Sequence, residues 1–124
     1  MKSWVGIVDD DVSIRIALAR ALRGNGIRVE TFASAEEYLH RSVQGEPECV
    51  VLDIDLGEVS GFDLYDRLVS EGTAPPTVFI TGRDDMFRRR PASTCACGFL
   101  RKPFDTGALM ALLRPHLRSS FSPK

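Results

Sequence analysis

The stretch Trp4-Val5-Gly6-Ile7-Val8-Asp9-Asp10-Asp11 (residues 4–11) sets the frame for the rest of the chain. Its first five residues are apolar or glycine with no polar alternation, the pattern of a strand covered on both faces, and the run stops at carboxylates. A strand covered on both faces needs helices around it. Immediately downstream, Ile14, Ala17, Leu18, Ala21 and Leu22 recur at helical spacing, with Arg15, Arg20 and Arg23 off the stripe, until Gly24-Asn25-Gly26 ends the pattern.

The same unit repeats along the chain. Ile27 to Phe32 reads as a second strand, and Ser34 with Glu37 forms a capping box that opens a helix through about Arg41, broken by Gly45 and Pro47. Cys49 to Leu52 is a third buried run that ends at an acid, Asp53, and Gly57 and Gly61 bracket the following loop. Phe62, Leu64, Tyr65, Leu68 and Val69 mark a third helix ending near Gly72, and Pro75-Pro76 a turn. Thr77 to Ile80 is a fourth strand ending at Thr81, and Phe99 to Lys102 a fifth before Pro103. Asp105 or Thr106 caps a last helix through Leu109, Leu112 and Leu113, with Pro115 predicting an early stop or kink. Strands alternating with helices imply an α/β fold: a doubly wound, five-stranded parallel sheet with helices on both faces. One domain over residues 1–118 is expected, with 119–124 as a flexible tail or truncated linker.

Composition excludes several functions. The 124 residues carry 44% hydrophobic and 27% charged side chains with a net charge of -1, which gives no broad basic footprint for direct nucleic-acid contact. The opening residues do not read as a signal peptide, and no apolar run has the ~20 residues of a membrane span. Cys49, Cys95 and Cys97 cannot all pair, so a reducing, cytoplasmic setting is expected, and Cys95 and Cys97 read as inert thiols.

In a doubly wound sheet, functional groups gather beyond the carboxyl ends of the strands, and here those ends carry Asp9 and Asp10, Asp53, Thr81 and Lys102. Carboxylates converging on one pocket repel each other, and a hard divalent cation with oxygen ligands removes the conflict; Mg2+ is the natural candidate because it leaves positions for phosphate oxygens. Lys102 would then stabilise phosphoryl charge and the Thr81 hydroxyl would donate to a phosphoryl oxygen. Each residue also has a plainer reading. Asp9-Asp10-Asp11 could simply cap a helix, a role assigned here to Asp11; Thr81 could bond backbone, Phe99 could be core, and Arg88-Arg89-Arg90 a solvated face.

Four segments in order resemble the receiver domain of bacterial two-component response regulators: Ile7 to Asp11, Val50 to Leu56 with Gly61 eight positions after Asp53, Val78 to Gly82, and Phe99 to Phe104. The resemblance implies the flavodoxin-like strand order 2-1-3-4-5 and Asp53 as the phosphoacceptor from a sensor histidine kinase or histidine phosphotransfer protein. It implies metal binding by Asp9, Asp10, Asp53 and the backbone carbonyl of Asp55, and Thr81 and Phe99 as paired switch residues. It further implies a cis Lys102-Pro103 peptide, and readout to a downstream protein or output domain on the face of helix four, strand five and helix five. That face is also where a homodimer is expected. Slow autodephosphorylation goes with this reading. Three departures stand out. Pro91 predicts a shortened or irregular fourth helix, Gly57 stands where proline is common, and Asp55 with Arg83 is positioned to form a charged lid over Asp53. Two alternatives are a haloacid-dehalogenase-like phosphatase, whose Asp-x-Asp nucleophile resembles Asp53-Ile54-Asp55, and a degenerate receiver used as a scaffold.

Overall fold

The computed structural model describes residues 3–42, 45–57, 59–82 and 97–117. Its elements run β1 (Val5–Val8), α1 (Val12–Gly24), β2 (Val29–Phe32), α2 (Ala35–Leu39), β3 (Cys49–Asp53), α3 (Gly61–Ser70), β4 (Thr77–Thr81), β5 (Gly98–Arg101) and α4 (Thr106–Leu113), with a 3-10 turn at Arg114–His116. All strands are parallel in the order β2-β1-β3-β4-β5, the topology expected from the sequence. The fourth helix expected around Pro91 lies outside the described residues, as do Arg83, Arg88-Arg89-Arg90 and Cys95.

Alternate residues of each central strand feed two separate cores. Val5, Ile7, Val51, Val78 and Ile80 pack with Leu18 and Leu22 of α1 and Leu109 and Leu113 of α4. Val8, Val50, Leu52 and Phe79 pack on the other face with Tyr38 of α2 and Phe62, Leu64 and Leu68 of α3. That division explains the unbroken apolar runs: neither face of β1, β3 or β4 meets water, and each large side chain withdrawn from water contributes roughly 1.5–3 kcal/mol.

Local signals largely act as the sequence predicts. Asp11 caps α1, accepting from Ser13 N at 2.8 Å and Ile14 N at 3.3 Å, and Ser34 accepts from Glu37 N at 3.0 Å; the expected capping box is only half formed, because the Glu37 carboxylate accepts from Ala33 N at 2.9 Å instead of Ser34 N. Asp105 caps α4 through Ala108 N at 2.7 Å, and α4 stops at Leu113, where Pro115 enters a 3-10 turn. Strand limits move by a residue or two: β2 starts at Val29 instead of Ile27, β3 and β4 run on through Asp53 and Thr81, and β5 closes at Arg101, leaving Lys102 just beyond the ladder.

At the amino end of the sheet, Trp4 is buried against Phe32, with ring centroids 6.2 Å apart. The Arg41 guanidinium carbon lies 5.6 Å from the Trp4 ring centroid and 4.5 Å from that of Tyr38, a cation-π roof over this end of the core.

Candidate functional site

Strand register brings the polar residues to one edge. Val8 pairs with Leu52, so Asp9 and Asp53 leave neighbouring strands at the same level. Asp53 pairs with Ile80, setting Thr81 one step further, and Thr81 pairs with Arg101, setting Lys102 beyond that. The Lys102 backbone N–H donates to Thr81 O at 2.7 Å, which fixes where its side chain starts, and the Lys102-Pro103 peptide is cis as the resemblance implied.

Lys102 Nζ then reaches two acids, lying 3.0 Å from Asp9 Oδ2 and 3.4 Å from Asp53 Oδ2. Asp9 is fully buried and Asp53 nearly so, whereas Asp10 is exposed beside them; carboxylate oxygens of all three lie within 4.8 Å of one another. Burial and the neighbouring Asp9 charge push the Asp53 carboxyl up to about 7, although the Asp55 N–H, which donates to Asp53 Oδ1 at 3.0 Å, and Lys102 both oppose the rise. Burial alone would lower the ammonium of Lys102, but the two acids outweigh it and hold it above its ordinary value. One ammonium facing two buried acids does not offset the rise at Asp53.

The donor set fits a hard cation. Asp9 Oδ2 is buried, its cationic neighbour the Lys102 ammonium at 3.0 Å, and every candidate ligand of the cluster is an oxygen. A buried carboxylate oxygen that shares one ammonium with a second buried acid is stabilised further by a divalent ion.

Two features around this cluster were not foreseen. The Thr81 hydroxyl donates to Asp55 Oδ2 at 3.4 Å, so the two side chains meet across β3 and β4; the proposed lid partner of Asp55, Arg83, lies outside the described residues. Arg15 Nη1 donates to the backbone carbonyl of Asp9 at 2.6 Å, although its place off the apolar stripe had marked it only as a surface residue. Gly61 has a steric cause: a Cβ there would overlap the Asp53 carbonyl oxygen and stand 2.9 Å from Ile54 Cα, because the start of α3 packs on the end of β3. Gly57 has φ +85°, a conformation closed to proline, so the loop after Asp53 follows a path that a proline at this position would not allow. Phe99 is half-buried and stacked on Phe79, with centroids 5.2 Å apart. The thiols are quiet: burial pushes Cys49 up to about 12 and raises Cys97.

A family model for the response regulator receiver domain matches residues 5–114. The chain belongs to that family. As a receiver domain of two-component response regulators it is a signalling domain. It is similar to the response regulator protein TmoT of Ectopseudomonas mendocina, 33% identical over 118 residues that make up 94% of this chain and 54% of that protein. It is also similar to the transcriptional regulatory protein FixJ of Azorhizobium caulinodans, 32% identical over 94% of this chain and 56% of that protein. Among solved structures, response regulator StyR aligns with a TM-score of 0.78 at 34% identity, covering 95% of this chain and 60% of that one. Chemotaxis protein CheY4 of Vibrio cholerae aligns with a TM-score of 0.81 at 24% identity, over 94% of this chain and 100% of that one, which shows the shared fold. The chain spans about half the length of the curated relatives named here. The receiver assignment displaces the phosphatase alternative, whose Asp-x-Asp would close the first strand; here Asp53-Ile54-Asp55 leaves β3. Among the described residues, no helix is long and apolar enough to cross a membrane.

Proposed function

We propose that Asp53 is the phosphoryl acceptor, reacting with phosphohistidine of a sensor histidine kinase or a histidine phosphotransfer protein. One Asp53 carboxylate oxygen attacks phosphorus; the new P–O bond forms as the P–N bond breaks, and its electron pair leaves on the donor imidazole nitrogen. The reading is carried by one observation, the reach of Lys102 to both Asp9 at 3.0 Å and Asp53 at 3.4 Å, because an ammonium so placed meets the phosphoryl oxygens as they arrive.

Asp9, Asp10, Asp53 and the backbone carbonyl of Asp55 are the residues that would hold Mg2+, which would neutralise the acids and draw charge from phosphoryl oxygens. A protein of the same fold, response regulator TrrA of Thermotoga maritima, was solved in complex with Mg2+ and BeF. Lys102 holds one phosphoryl oxygen, and Thr81 leaves Asp55 to donate to another. Phe99 then turns from its stack on Phe79, which alters the face made by helix four, β5 and the last helix. That face serves a downstream protein, an attached output domain or a second copy of the chain. Slow autodephosphorylation resets Asp53, and the free thiols of Cys49 and Cys97 accord with a cytoplasmic setting.

Acetyl phosphate with Mg2+ should add about 80 Da, one phosphoryl group, to the intact protein. No gain in wild type, or equal gain in Asp53→Asn, overturns the assignment.

A further inference from the structure

We propose that Arg15 is a positioning residue for the acidic site, holding the turn that presents Asp9 and Asp10; the inference rests on the metal reading given above.

The turn from β1 to α1 is short, and several of its backbone groups find partners close by. Asp9 N–H donates to Phe32 O at 3.1 Å, Asp11 N–H donates to Asp9 Oδ1 at 2.9 Å, and Asp11 O accepts the first helical bond from Arg15 N at 3.1 Å. The Asp9 carbonyl falls between strand and helix, beyond the β1–β2 and β1–β3 ladders and before the α1 ladder. Asp9 is fully buried, so leaving that carbonyl unpaired would carry a desolvation penalty. Arg15, one turn into α1, reaches back and takes it at 2.6 Å, a charge-assisted bond.

That bond sets the plane of the Asp9–Asp10 peptide. The peptide plane in turn directs the Cα–Cβ bond of Asp10, the exposed acid of the cluster, towards Asp9 and Asp53. Asp9 is held independently through its side chain by Asp11 N–H and Lys102, so the group freed by loss of Arg15 is the peptide and the carboxylate of Asp10. Arg15 also brings positive charge to a site crowded with acids, but Arg20 on the same helix carries equal charge and makes no hydrogen bond to the described site residues. The two therefore separate a directed bond from a general field.

The experiment is isothermal titration of Mg2+ into wild type, Arg15→Ala, Arg15→Gln, Arg15→Lys and Arg20→Ala, with unfolding temperatures measured without metal. Arg15→Ala should weaken Mg2+ binding about tenfold, the scale typical of lost outer-shell contacts, with Arg15→Lys recovering most of the loss and Arg20→Ala matching wild type. Arg15→Gln keeps the helix-forming stem; if Arg15→Ala does not fold, Arg15→Gln carries the comparison, with weakened binding expected. Unchanged affinity in Arg15→Ala, or in Arg15→Gln where Arg15→Ala does not fold, or an equal loss in Arg20→Ala, overturns the proposal. A folded wild type that takes up no Mg2+ overturns the metal reading itself, a distinct result.

Discussion

The ammonium of Lys102 stands nearer to Asp9, at 3.0 Å, than to Asp53, at 3.4 Å, so the buried acid that does not react is the better neutralised of the two. The acid left short of positive charge is the one proposed to react, and its carboxyl is pushed up to about 7. Loss of Lys102 removes the counter-charge of both. Lys102→Ala should slow phosphorylation by acetyl phosphate about a hundredfold, the cost typical of removing a donor aimed at developing charge. Stopped-flow or mass-spectrometric time courses at saturating Mg2+ measure it, and a rate within a factor of about three of wild type contradicts the role.

Stability should depend on pH through Asp53. Its folded value, about 7, lies above the ordinary 3.8, so between these limits the folded protein binds more protons than the unfolded chain. Stability without metal therefore falls as pH rises through this range, and the penalty is complete above pH 7. At about 1.4 kcal/mol per unit, the loss amounts to a few kcal/mol. Lys102 acts in a separate window: its raised value contributes stability below its ordinary 10.5 that is lost at more alkaline pH. Urea midpoints measured from pH 4.5 to 8 should decline in wild type and flatten in Asp53→Asn, and excess Mg2+ should restore the wild-type midpoint at the alkaline end.

Gly61→Ala should destabilise the protein by about 1–3 kcal/mol through overpacking, since the clash is with backbone of β3 that cannot rotate away. A lower urea midpoint at unchanged slope is the expected signature. Gly57→Pro should also destabilise, because φ +85° is out of reach of the proline ring.

Asp55→Ala releases the Thr81 hydroxyl from its bond at 3.4 Å. Worth about 0.5–1.5 kcal/mol net, that bond competes with the hydroxyl's proposed movement to the phosphoryl group, so its loss should raise the acetyl phosphate reaction rate roughly twofold to tenfold. A rate equal to or below that of wild type would show that Asp55 does not restrain the switch.

The sheet and the main site residues were legible because each buried strand changes abruptly from apolar to polar: Val8 to Asp9, Leu52 to Asp53, Ile80 to Thr81 and Leu100 through Arg101 to Lys102. In a parallel sheet such endings share one edge, so order along the chain becomes proximity in space. The Arg15 bond to the Asp9 carbonyl left no mark, because it answers a backbone group whose isolation emerges only when strand and helix limits are set together. Asp55 was assigned through its carbonyl and a lid contact, and its carboxylate turned out to meet Thr81 across β3 and β4, a contact 26 residues apart in sequence. Gly61 was recognised by its spacing from Asp53, but the reason, backbone packed against backbone, lies in how α3 meets β3.

The single tryptophan of the chain has a practical consequence. Trp4 precedes β1 and Asp9 follows its end, so roughly 16 Å of extended backbone runs between the two residues, and the indole is buried over Gly6 and against Phe32, under Arg41. Its fluorescence should stay constant while ions and phosphoryl groups come and go at the far edge, and change when the fold opens. Emission intensity is thereby a gauge of denaturation alone, and chemistry at Asp53 can be followed by mass or calorimetry in the same sample without optical interference.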